Sequence, residues 1–362
     1  MPPNALLVSK FKSSWEHFLV NKLSLCFDLD IFYLDDFHRA SCVFSDSISY
    51  IKKLVVEKQI THLFLDVEFY PSVDVAFVKA LDTPSVVVVM LFFDDLLMHD
   101  FNSITASSAD VVLSADPISV LRFKEKGIPS YFFPLEGDKN CFSSSRATDK
   151  DIDVLFFGSI LKADRAQWLS YLISNGISVI SVGPGSDYVS FEELSDLMSR
   201  SKIILDLSKS SLMSSKSIHD NSRPYRSFFS YYYQLKGRVI MAGLSGTCCV
   251  SEYSPALRLL FGEHEVPAFT TLSECLLLLK DLLSNPSKIY ALASNLSDKV
   301  HSEYEDSVVM SKLHPVLVKK VRPLVLANSP PLWYKCKVFL SRVKILLFSL
   351  KCSIRSLLTF SA

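Results

Sequence analysis

The chain has 362 residues, 38 lysines and arginines against 38 acidic residues, and 49% hydrophobic residues. That length exceeds what one core usually supports and predicts two domains, while the balanced charge gives no reason to expect nucleic acid as a partner. None of the eight cysteines stands in C-x-x-C spacing, so they read as reduced structural thiols rather than a zinc or redox site.

The start, MPPNALLVSK, lacks a basic segment followed by a long apolar run, which predicts no signal peptide and a cytoplasmic location. Short β-branched or aromatic runs then alternate with stretches of helical period: ALLVSK, SSWEHFLVNKL, LDIFYLDD, residues 61–70, 85–95 and 109–117, and a helix ending at Gly127. This is the rhythm of parallel βα units. Runs such as SVVVVMLFF are apolar throughout, as central strands covered on both faces should be. The polar stretch 136–151 predicts a boundary, giving domains at 1–150 and 151–330. The rhythm restarts with DVLFFGS at 153–159, a helix through Trp168, the strand ISVISVGPG, a helix beginning at a Ser190–Glu193 capping box, and KIILDLS. Two doubly wound α/β domains are predicted.

Glycine is absent from the first 126 residues. Backbone amides approach a phosphate most readily at glycine turns, so a phosphate-bearing ligand is expected on the second domain. Gly158 and Ser159 close one strand ahead of Arg165, Gly183 and Gly185 close the next, and Arg238 opens a helix that continues to Gly243 and Gly246. Each of these, taken singly, also fits a plain turn or a solvated arginine. Asp66, Asp94, Asp95 and His99 follow predicted strands of the first domain and could supply a general base, or could merely cap helices. His219 with Asp220, and the aromatic cluster 227–233, read more readily as a solvated pair and a core face than as substrate contacts.

Taken in order, these motifs resemble a known family. VLFFGS with Arg165, VGPG, SFEEL, SKIILDLS, LKGRV, GTCCVSEYSP, then Leu260, Phe261 and Glu265, and a helix pair ending near Tyr304 are similar to the C-terminal domain of bacterial GT-B glycosyltransferases, of the CgeB-like and glycosyltransferase family 4 type. The first half is similar through LFFDD and ADVVLSADP. The resemblance implies two Rossmann-like domains facing a cleft, with a nucleotide-sugar donor on the second and a carbohydrate or lipid-linked acceptor on the first. It implies that Gly158, Ser159, Arg165, Gly183 and Glu252 bind the donor and that Arg238 stabilises the departing diphosphate, with no cofactor and no obligatory metal. On the acceptor side Asp94, Asp95 and His99 are the catalytic candidates. Met241 stands where such families carry a glutamate for the donor's ribose, which opens the alternative of an inactive scaffold that binds nucleotide or glycan.

No acidic residue follows Asp306, and beyond Ser329-Pro330-Pro331 the spacing predicts a basic amphipathic helix over 331–362. Its expected apolar face comprises Phe339, Val343, Leu346, Leu350, Ile354 and Leu357. Such a helix suits an anionic membrane surface at the inner face, or folds back to close the enzyme.

Overall fold

The computed structural model describes residues 2–13, 15–40, 45–68, 72–95, 98–143, 150–161, 164–208, 234–320 and 329–360, with backbone alone from 348 onward. The residues divide into two compact units, 1–135 with 310–362, and 136–309. The division thus falls at the start of the polar stretch rather than at 150, and the chain beyond 310 joins the first unit instead of standing apart as a tail.

In unit 1, strands β1 (Asn4–Ser9), β2 (Asp28–Tyr33), β3 (His62–Asp66), β4 (Val87–Phe92), β5 (Val111–Ser114) and β6 (Ser130–Phe132) form a parallel sheet in the order β2-β1-β3-β4-β5-β6. Every residue of β4 and β5 is buried, because helices cover both faces, and this explains why those runs lack alternation. Asp74 and Asp116 cap the helices Val75–Leu81 and Pro117–Glu125 by accepting amides of the first turn.

In unit 2, β7 (Ile152–Phe157), β8 (Val179–Val182), β9 (Ser201–Asp206), β10 (Cys248–Glu252) and β11 (Ala268–Phe269) form a second parallel sheet, ordered β11-β10-β9-β7-β8. The capping box forms as expected, with Ser190 Oγ accepting from Glu193 N and the Glu193 carboxylate accepting from Ser190 N. The helix Arg238–Leu244 packs tightly against Pro286–Glu303, since a Cβ on Gly243 would meet Val300 Cγ2 at 2.4 Å. Gly246, with φ +61°, supplies the left-handed turn that follows this helix.

The C-terminal helix Leu332–Phe360 docks on unit 1 through a face that the sequence pattern did not single out. Tyr334 is buried and stacks on Phe101 with ring centroids 4.5 Å apart. Val75 N–H donates to Tyr334 Oη at 3.1 Å, and the same hydroxyl shares a 2.8 Å hydrogen bond with Thr105. Val338 is buried one turn on, Ile345 packs against the main core, and Arg342 donates to Asp74 at 3.0 Å. The expected apolar face lies elsewhere: Phe339 is 66% and Leu346 51% exposed. Tyr334→Phe leaves the Val75 amide without its acceptor and should destabilise the protein by about 1 to 3 kcal/mol, measurable as a lower urea midpoint.

Candidate functional site

Chain order sets where ligand groups can gather. From β7 the chain winds outward to β8 and then returns past β7 to β9, so the sheet of unit 2 switches direction between β7 and β9. Open parallel sheets bind ligands beyond the carboxyl ends at such a point.

Two glycines shape the loops there. Gly158 follows β7 with φ +130°, and Gly183 follows β8 with φ +118°, conformations that side chains with a Cβ rarely adopt. The two backbones press together, for Gly158 N–H donates to Val182 O at 2.9 Å and a Cβ on Gly183 would lie 3.0 Å from Gly158 O. A Cβ on Gly158 would come within 2.7 Å of Arg238 Nη1. The turns therefore leave the room that the arginine occupies.

Arg238 is only 8% exposed and ties the ends of β7 and β9 together through three hydrogen bonds. Its Nε donates to Asp206 Oδ1 at 2.7 Å, Nη1 to Phe157 O at 3.0 Å and Nη2 to Leu207 O at 3.0 Å. Asp206, the last residue of β9, has no exposure and also accepts from Ser251 Oγ at 2.8 Å. Arg165 lies beside this pair, 5% exposed, with Nη1 donating to Ser159 O at 3.1 Å and Nη2 to Leu207 O at 2.7 Å. Both guanidinium groups lie over the Phe156 ring. Burial, reinforced by the neighbouring Arg238 cation, pushes Arg165 down to about 10 despite the opposing pull of Asp206 and Glu252, so it stays charged at neutral pH.

Two buried cations share one carbonyl, and the Nε of Arg165 is buried without a hydrogen-bond partner. Such a cluster is suited to an anion with several oxygens, because fixed donors in a dry site need no reorganisation when charge develops. The structure thus brings together Gly158, Ser159, Arg165, Gly183 and Arg238. Asp206, unmarked in the sequence reading, is the group that fixes Arg238. Glu252 ends β10 with 3% exposure, and its carbonyl accepts from Ser208 and Ser251 hydroxyls. Met241 is buried at 1% exposure within a helix whose residues are all buried, so it is a packing residue. His219, Asp220 and the aromatic cluster 227–233 lie outside the described residues.

Unit 1 repeats the arrangement with acids. Its switch point lies between β1 and β3, where Ser9 pairs with Asp66 in register and Ser9 Oγ donates to Asp66 Oδ2 at 3.1 Å. Burial, followed by the charge of Glu16, raises the Asp66 carboxyl to about 6 against the pull of the Ser9 hydrogen bond. Glu16 itself accepts from Tyr33 Oη at 2.6 Å. At the next strand end Glu68 accepts from the amides of Phe93 and Asp94 at 2.6 and 2.7 Å. Its carboxyl is held well above the usual range, first by burial and then by the charges of Asp94 and Asp95.

The candidates of this unit separate by exposure. Asp95 and His99 are buried and bind each other, Nδ1 to Oδ2 at 2.5 Å, with Asn102 donating to the other Asp95 oxygen at 2.8 Å. This pair anchors the loop after β4 to the helix His99–Ala106. Asp94 is exposed. Glu68 escaped the sequence reading, which took 61–70 as one strand segment, because β3 ends at Asp66 and leaves Glu68 two residues past it.

The comparisons agree with this geometry. Residues 142–314 match the family described as glycosyl transferase-like. No curated protein sequence matches the chain. Among solved structures, sucrose-phosphate synthase from Thermosynechococcus elongatus has a TM-score of 0.60 at 10% identity, over 88% of this chain and 99% of that one. HepE from Anabaena, solved with UDP and glucose, has a TM-score of 0.61 at 10% identity, over 87% and 99%. The α,α-trehalose 6-phosphate synthase from Burkholderia multivorans has a TM-score of 0.58 at 10% identity, over 88% and 98%. The chain has the GT-B fold of these glycosyltransferase structures, and its residues 142–314 are similar to the glycosyl transferase-like family.

Proposed function

We propose that the protein transfers a glycosyl group from a nucleotide-sugar to a hydroxyl of a carbohydrate or lipid-linked acceptor. The buried Arg165–Arg238–Asp206 cluster under the Gly158 and Gly183 turns is the observation that carries this reading. When the bond from the sugar to the diphosphate breaks, negative charge grows on the leaving oxygens, and two fixed guanidinium groups favour that charge over the ground state. The diphosphate departs in this proposal without an obligatory metal, and Glu252 holds the donor beside the cluster. Unit 1 acts on the acceptor, with Asp66 taking its proton and Glu68 and Asp94 lining the same strand ends. The CgeB-like assignment and a cytoplasmic location belong to the same proposal.

Since HepE was solved with UDP and glucose, UDP-sugars are the first donors to try. Nucleoside diphosphate release from a panel of nucleotide-sugars is expected, together with a rise in melting temperature on adding the matching diphosphate. Binding without release across the full panel would reverse the conclusion. It would favour the scaffold reading, which the apolar Met241 supports by leaving no ribose acceptor at that position.

A further inference from the structure

The C-terminal helix Leu332–Phe360 is apolar on two opposite faces, and only one of them is used within the described structure. Tyr334, Val338 and Ile345 dock on unit 1 with Arg342 bound to Asp74, which fixes the rotation of the helix about its axis. The opposite face presents Leu332, Trp333, Phe339, Leu340, Leu346 and Leu347, between 49% and 77% exposed. At 3.6 residues per turn these form one continuous stripe, with exposed Lys335 and Lys344 on its two borders. A contiguous apolar stripe of this length marks a surface that is covered in use.

We propose that this face lies in the plane of an anionic bilayer surface, its leucines and phenylalanine entering the acyl boundary while Lys335 and Lys344 reach the headgroups. Charge decides between the bilayer and a second copy of the chain. No acidic residue follows Asp306, so a two-fold pairing of this face would set lysine against lysine with no carboxylate on either helix to meet it. Anionic headgroups supply the missing charge, and the lysine stems can lie along the apolar stripe with their ammonium groups outward. Trp333, half-exposed at one border, fits the headgroup level. The helix lies on the membrane rather than across it, for among the described residues no helix is long and apolar enough to span one. This inference uses no residue of either strand-end cluster and stands independently of the sugar-transfer reading.

Flotation of the full chain with vesicles tests it. The protein should float with vesicles of phosphatidylcholine and phosphatidylglycerol at low salt, and remain in solution with phosphatidylcholine alone. Lys335→Ala with Lys344→Ala should weaken partitioning about thirtyfold, at roughly fivefold per lost charge. Phe339→Asp with Leu346→Asp should abolish it while the urea midpoint stays unchanged, because both side chains are exposed. Failure to float with the anionic vesicles overturns the proposal, as does flotation that survives the paired aspartates. A concentration-dependent dimer that the paired aspartates dissociate, without vesicle binding, would assign the face to a second copy instead.

Discussion

Arg238→Ala is expected to lower stability by about 3 to 5 kcal/mol and glycosyl transfer by at least about a hundredfold. The stability loss follows from what the substitution leaves behind. Asp206 has no exposure and takes its charged partner from Arg238, so alanine strands a carboxylate in the interior and frees the carbonyl of Phe157, while Leu207 O keeps only its bond from Arg165. The loss of transfer has two sources: a cation disappears from the cluster, and the ends of β7 and β9, beside the carbonyls that Arg165 binds, lose the fork that joins them. Lysine keeps the charge but cannot reach a carboxylate and two carbonyls at once, so Arg238→Lys should recover only part of either quantity. The double variant Arg238→Ala with Asp206→Ala is the informative control. It should be more stable than Arg238→Ala alone, since no buried carboxylate is left without its partner, yet just as poor in transfer. Urea denaturation and nucleoside diphosphate release read the two effects separately. Transfer by folded Arg238→Ala within about threefold of the parent, far under the expected loss, would remove the cluster from the site.

Much of the architecture was legible because the physics is local. Uniformly apolar runs gave the central strands, the Ser190–Glu193 spacing gave a helix start, and Gly158, Gly183 and Gly246 marked backbone that adopts positive φ. The donor-side candidates also converge as the motif order implies, since loops following neighbouring parallel strands all emerge at one end of a sheet. What stayed hidden depends on contacts distant in sequence. Asp206 and Arg238 are 32 residues apart and Arg238 and Phe157 are 81 apart, and no spacing rule announces such partners. A signal for Asp206 did exist, as a lone carboxylate closing the apolar run KIILDLS. The docking face of the last helix stayed hidden for a different reason. A helix with two apolar faces gives periodicity no means to tell which one docks, and the polar groups that decide it, Tyr334 and Arg342, find partners more than 200 residues away in sequence.

Asp66 should show opposite effects on stability and on activity. Its carboxyl is raised from 3.8 to about 6, so the folded chain binds the proton more tightly than the unfolded chain does. The resulting stabilisation is present in full below about pH 4 and is lost as pH rises through about 6. At neutral pH the ionised, half-buried Asp66 is therefore a burden on the fold. Asp66→Asn should flatten stability between pH 4 and 6 and, at pH 7, stabilise the protein relative to its parent by an amount on the order of 2 to 3 kcal/mol. A purely structural carboxylate has no reason to persist at such a cost, whereas a base that removes a hydroxyl proton is served by a pKa near the working pH. Transfer by the parent should accordingly fall as pH drops through about 6, and Asp66→Asn should abolish that limb together with about a hundredfold or more of the rate. Urea midpoints and nucleoside diphosphate release, each followed from pH 4 to 8, give both curves. A variant that is more stable at neutral pH and still transfers at the parental rate would exclude Asp66 as the base and shift the role to Glu68 or Asp94 at the adjoining strand ends.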